Sequence, residues 1–167
     1  MNESLILRWN TCVAPQDVVL HLGDVGFNYG RLFNIVARLN GRKLLVRGNH
    51  DWNVSRMKAL GFECITAFKN QFHKEPYHNR MLICAHRPRD LPTWDPEKLV
   101  TWDHRNVVLC GHEHNNGPLF IRWVRDKGDT ARPVMALNMS CEHWNYAPQH
   151  VDRVIEAYDK QLASVLK

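Results

Sequence analysis

The sequence predicts an α/β protein, and two observations carry that prediction. The first is an order of elements: Asp17 to Gly23 is a largely apolar run closed by glycine, Arg31 to Leu39 puts Leu32, Ile35, Val36 and Leu39 on one helical face, and Lys43 to Gly48 is a second glycine-closed run. Strand, helix, strand is the unit that builds parallel sheets. The second is where the runs end. Four of them finish in side chains that can bind metal: Asp24, then Asn49 with His50, then His86, then His112 with His114. Open α/β sheets bind ligands at the carboxyl ends of their strands, and core histidines or chance have no reason to choose the same end every time.

Taken in order, Asn2 to Trp9 spaces Leu5, Ile6 and Trp9 as an amphipathic helix with Asn2 as its cap, and Pro15 stops its continuation. The Asp17 strand, the Arg31 helix ending at Asn40-Gly41, and the Lys43 strand follow. Gly48 lets the chain turn sharply, so that Asn49 and His50 project from the strand end. Asn53 caps a helix through Leu60 that Gly61 terminates, Phe62 to Phe68 reads as one strand, and Lys69 to Arg80 as polar loop. Met81 to Ala85 and Val107 to Cys110 are apolar strands delivering His86 and His112. Between them Leu91 to Trp102, rich in Pro, Trp and Asp, reads as loop with at most one helical turn over Pro96 to Val100. Phe120 to Arg125 and Pro133 to Met139 form a hairpin turning near Lys127-Gly128-Asp129, and Val151, Val154, Ile155, Tyr158, Leu162 and Val165 mark a closing helix.

Composition bounds the rest. A chain of 167 residues, 44% hydrophobic and 23% charged, can bury its own core and is expected to form a single domain over residues 1–167. No window reaches the ~18 apolar residues of a membrane span, and the first residues lack the pattern of an export signal. The five cysteines are scattered, without a Cys-x-x-Cys pair, and Cys84 and Cys110 lie inside apolar runs as small core residues do. A reducing cytoplasm fits that usage. The net charge of +5 is spread along the chain instead of forming a basic block, so it reads as solvated surface. Ten histidines are the more unusual count, because imidazole is the commonest metal ligand and the side chain best suited to proton transfer near neutral pH.

One carboxylate, one amide oxygen and several imidazoles make a mixed oxygen and nitrogen donor set without thiolate. Such a set suits Mn, Fe, Zn, Ni or Co rather than Ca or a structural zinc. These residues resemble the blocks of the calcineurin-like metallophosphoesterases: Gly23-Asp24, Gly48-Asn49-His50-Asp51, His86, and Gly111-His112-Glu113-His114, in that order across residues 23–114. The segment Asn138 to Tyr146 also looks like the closing segment of small bacterial and phage members. The resemblance implies a two-sheet β-sandwich flanked by helices in four layers, and a phosphodiesterase or phosphomonoesterase that uses metal-activated water. It makes Asp24 a bridging ligand, with Asn49, His86 and His112 completing one metal position and His114 serving the other, and His50 the catalytic histidine. Its cofactors are divalent transition metals, Mn2+ foremost, and its partner is a phosphate ester, with nucleotides or nucleic acid within that class and no membrane.

Around these residues the reading stays open at several positions. Arg87 could clamp a phosphate or make a surface salt bridge, Trp52 could stack a base or cap the core, and Asp51 could orient His50 or start the next helix. His143 is a candidate for the rim of the site. The family's Asp-x-His block, on the strand preceding the helix at Asn2, has no counterpart, so one metal position is complete and the other keeps only Asp24 and His114. The expectation is a longer natural chain in which Met1 is internal or a misassigned start. The alternative is a catalytically impaired single-metal form that binds metal or phosphate, with an exposed strand edge that favours self-association.

Overall fold

The computed structural model describes residues 2–65, 68–71, 80–90, 106–125 and 131–165. Its elements are α1 (Asn2–Cys12), β1 (Val18–His21), α2 (Tyr29–Val36), β2 (Arg42–Val46), α3 (Val54–Ala59), β3 (Phe62–Ile65), β4 (Phe68–Gln71), β5 (Met81–Ala85), β6 (Asn106–Cys110), β7 (Leu119–Arg125), β8 (Ala131–Asn138) and α4 (Val151–Val165). They form an α/β fold with two sheets. The first is three-stranded and wholly parallel in the order β1-β2-β3; the second has the order β4-β5-β6-β8-β7, with β5, β6 and β8 parallel and the outer strands antiparallel.

Each sheet has its own core, and the reasons are legible residue by residue. Helices α2 and α3 are the crossovers of the first sheet: Leu32, Val36, Met57 and Leu60 pack with Leu45 and Phe62. Asn28 and Asn53 start these helices by accepting the N–H groups of Arg31 and Arg56, each at 3.0 Å, which satisfies donors that a helix leaves open. In the second sheet, β5, β6 and the Met135 to Asn138 end of β8 bury nearly every side chain, and α4 covers them with Val154, Ile155 and Tyr158. Strands buried on both faces read as continuous apolar runs, which is how these strands stand in the sequence. Cys84 and Cys110 are core residues here. Leu20 and Leu22, at the end of β1, pack against the second core, so the two sheets meet beside the site. No helix among the described residues is long and apolar enough to cross a membrane.

Several boundaries differ from expectation. Helix α1 runs a turn beyond Trp9 to Cys12, and α2 starts at Tyr29 and stops at Val36, with residues 37–39 in turns. The strand expected over Phe62 to Phe68 is two strands in two sheets: β3 pairs parallel with β2, β4 antiparallel with β5. Apolar periodicity reports that a segment is extended and cannot report which sheet it joins. Lys69 to Gln71, expected in a loop, belong to β4, an outer strand where polar residues are tolerated. The expected loop at Leu91 to Trp102 and the turn near Lys127 to Asp129 lie outside the described residues. The hairpin of β7 and β8 forms, and β8 continues the parallel sheet beside β6.

Candidate metal centre

The carboxyl ends of β1, β2, β5 and β6 converge, and each contributes one polar group. Asp24 follows β1, Asn49 follows β2, His86 follows β5 directly, and His112 follows β6 after Gly111. His86 is buried at the centre. Its Nε2 lies 3.1 Å from Asn49 Oδ1, 3.1 Å from His112 Nδ1 and 3.3 Å from Asp24 Oδ2. The ligand atoms of Asp24, His86 and His112 all lie within 4.8 Å of one another, so these three residues could hold a metal ion.

The donor chemistry says what kind of ligand fits. His86 Nδ1 is 2.6 Å from the carbonyl oxygen of Leu22, which only accepts, so Nδ1 carries a proton. In the neutral ring Nε2 is then a lone pair facing a carboxylate oxygen, an amide oxygen and a second imidazole. A proton shared between the two rings, on Nε2 or on His112 Nδ1, satisfies that pair alone and gives nothing to the Asp24 and Asn49 oxygens. A cation satisfies all of them at once, and the Leu22 carbonyl is the outer partner that metal-binding histidines commonly have.

The backbone is shaped to make this convergence. Asp24 has φ +56° and His112 φ +74°, a left-handed conformation that costs a non-glycine residue on the order of 1–3 kcal/mol and persists where the surroundings impose it. Asp51 does much of the imposing at Asp24. Its buried carboxylate accepts the N–H groups of Asp24 at 2.9 Å, Val25 at 2.8 Å and Gly48 at 2.8 Å, tying the turn after β1 to the turn after β2. The two turns touch closely enough to require glycine: a Cβ on Gly48 would collide with Asp24 Oδ1 and lie 2.6 Å from Asp24 N, and one on Gly23 would lie 2.6 Å from His86 Nδ1. Asp24 Oδ1 takes the N–H of His50 at 2.9 Å, which leaves Oδ2 toward His86. His21, at the end of β1, accepts the Gly23 N–H on Nδ1 at 3.1 Å. Burial holds its imidazole below the usual histidine value against the opposing pull of Asp51, which favours that neutral accepting ring.

The remaining candidates fall around the centre. His50 is exposed, with its ring edge-on to Phe27 at a centroid distance of 5.2 Å. His114 shares a loop with His112 but turns to Glu142, its Nδ1 lying 2.8 Å from Oε1, and it is not in the cluster. Arg87 makes the salt bridge, at 2.8 Å to Asp90. Trp52 is half-buried against the first core with Tyr29, as a cap. His143 sits in the short turn Cys141–Trp144, its Nε2 buried with no hydrogen-bond partner among the described residues, and it too is outside the cluster. Sequence reasoning missed the tying role of Asp51, the outer carbonyl of Leu22, Glu142 and Phe27. Only Asp51 left a signal, being a carboxylate directly after the Gly-Asn-His turn.

Fold and site together define an α/β protein with a candidate centre of two histidines and one aspartate that could bind metal. No family model matches the chain. It is 24% identical over 163 residues to the uncharacterized protein MJ1445 of Methanocaldococcus jannaschii, a match covering 96% of this chain and 76% of that one. Among solved structures it resembles AQ665 from Aquifex aeolicus, a protein of unknown function, with a TM-score of 0.59 and 20% identity over 93% of this chain and 84% of the other. That likeness shows the fold.

Proposed function

We propose that this chain is a metal-dependent phosphoric-ester hydrolase of the calcineurin-like kind, with its two-sheet sandwich flanked by helices. The observation that carries the reading is the approach of Asp24, Asn49 and His112 to the Nε2 atom of His86, from four strand ends and in the motif order of those enzymes. A divalent transition metal, Mn2+ foremost, would be held by Asp24, Asn49, His86 and His112, with His114 available to a second. When bound it supplies an acidified water and neutralises charge at phosphorus. The protein's own groups do the rest. The Leu22 carbonyl keeps the proton of His86 on Nδ1, Asp51 holds the two ligand turns in register, and His50, tied through its N–H to Asp24, gives a proton to the leaving oxygen. Arg87 and His143 are the substrate-binding candidates, and a nucleotide or nucleic acid lies within the substrate class.

A second reading has its own observation. His114 is engaged by Glu142, and the described residues gather one group of three potential ligands, which favours a single-metal domain of low activity. In that form a second copy could pair along β1, an outer strand of the first sheet.

The test is hydrolysis of an aryl phosphodiester and an aryl phosphomonoester by the Mn2+-loaded protein, with metal content measured alongside. Turnover should vanish on chelation, His86→Ala should lose metal, and His50→Ala should cut turnover ~10²–10⁴-fold with metal retained. Metal bound at unit stoichiometry without turnover selects the second reading. Failure to bind any metal, or turnover that survives chelation, overturns both.

A further inference from the structure

We infer that Phe27 is a specificity-determining residue that selects phosphoric esters carrying a planar aromatic group, of which a nucleobase is the natural kind; this rests on the phosphoester reading above. The side chain is 79% exposed, the largest exposure among the exposed large hydrophobic residues described, although hydrogen bonds hold the turn on both sides of it. Asp51 holds the N–H groups of Asp24 and Val25, Val25 packs against the first core, and Asn28 is fixed as the cap of α2. A single exposed apolar side chain is ordinarily unremarkable on a protein surface. This one is held beside the chemistry. It follows the ligand Asp24 by three residues, and its ring lies 5.2 Å from that of His50 at 63°, while the N–H of His50 bonds to Asp24 and its neighbour Asn49 approaches His86.

The edge-to-face contact with His50 is a preferred arrangement of two rings and leaves most of the Phe27 surface to solvent. A phosphate ester whose phosphorus sits at the centre would extend its organic group past His50, the residue assigned to the leaving oxygen, and so onto this ring. An alkyl group gains only apolar contact there. A planar π-system gains a stack, which every base can make and which does not depend on hydrogen-bond donors or acceptors.

The experiment is calorimetric titration, in the cold, of the Mn2+-loaded full chain with adenosine 5′-monophosphate, ribose 5-phosphate and inorganic phosphate. Wild type should bind the adenosine ester more tightly than the ribose ester by roughly 5- to 100-fold, the range of one base–aromatic stack. In Phe27→Ala that ratio should fall toward one, and in Phe27→Tyr it should be kept. Because the ring is exposed, thermal melting of the variants should match wild type, which separates lost stacking from lost structure. Equal binding of the two esters by wild type, or an unchanged ratio in Phe27→Ala, overturns the inference while leaving the phosphoester reading in place. Failure of all three ligands to bind the metal-loaded protein overturns that reading and the inference with it.

Discussion

At the scale of single residues, the most consequential side chain in the centre is one that does not face the potential ligand. Asp51 spends both carboxylate oxygens on three backbone N–H groups, and those groups belong to the turns that present Asp24 and Asn49. An amide in its place keeps the shape and turns an NH2 group toward at least one of the same donors. Hydrogen bonds to a charged acceptor are worth about 1.5–3 kcal/mol, more than neutral ones. Asp51→Asn should therefore lower the stability of the chelated protein by about 2 kcal/mol. It should also weaken Mn2+ binding by ~10–100-fold, the usual effect of losing an outer partner of a metal site. Denaturant unfolding and metal titration check the two halves separately. Unchanged affinity would mean that the turns hold their register without the carboxylate.

At the scale of elements, the centre depends on how the loop after β6 is fastened to the turn after β8. Asn138 is fully buried at the end of β8. Its amide nitrogen donates to the carbonyls of Glu113 at 2.9 Å and Gly117 at 3.2 Å, and its oxygen accepts the Ser140 N–H at 3.1 Å. Trp144 closes the same turn by donating its indole N–H to the Asn138 carbonyl at 2.9 Å, and His114 meets Glu142 across the two segments. The loop with His112 and His114 thus takes its shape from a segment some 25 residues later in the chain. Asn138→Asp would replace the donating NH2 by an oxygen facing two carbonyls in a dry site. The expected cost is on the order of 2–4 kcal/mol, and the His112 and His114 ring signals in NMR should shift or broaden together. Movement of neither histidine would show that the loop is held by its own backbone.

At the scale of the whole molecule, the candidate centre lies on the seam of the two sheets. Asp24 and Asn49 belong to the first, His86 and His112 to the second, and across the seam the described contacts include Leu20 and Leu22 on the second core and the Leu22 carbonyl on His86. A cation bound by all four residues would join halves that otherwise keep separate cores, and it would bind the folded state alone. At a free metal concentration of ~100 times Kd the stabilisation is about 2.7 kcal/mol. For a domain of this size that is a rise in Tm of roughly 5–11 °C. Melting curves of the chelated and Mn2+-loaded protein check this, and His86→Ala should erase the difference. An equal rise in His86→Ala would place the bound metal elsewhere.

The sequence by itself determined most of the strands and helices, Lys69 to Gln71 of β4 excepted, and which strand ends carry polar groups. Both are local: a run such as Met81 to Ala85 is continuously apolar, as a buried strand is, and Gly48 lets the chain turn sharply where β2 ends. It also marked Asp24, Asn49, His86 and His112, each within a few residues of its strand, and the fold brings these four side by side. Tertiary structure alone decided what depends on pairing between distant segments. The division of Phe62 to Phe68 between two sheets, the turning of His114 to Glu142, and the seat of Phe27 against His50 are contacts whose partners lie 16 to 28 residues away. Asp51 marks the boundary between the two kinds of information. Its place after the Gly-Asn-His turn could be read from the chain, but its purpose lies in N–H groups 26 and 27 residues earlier, which nothing in local spacing can supply.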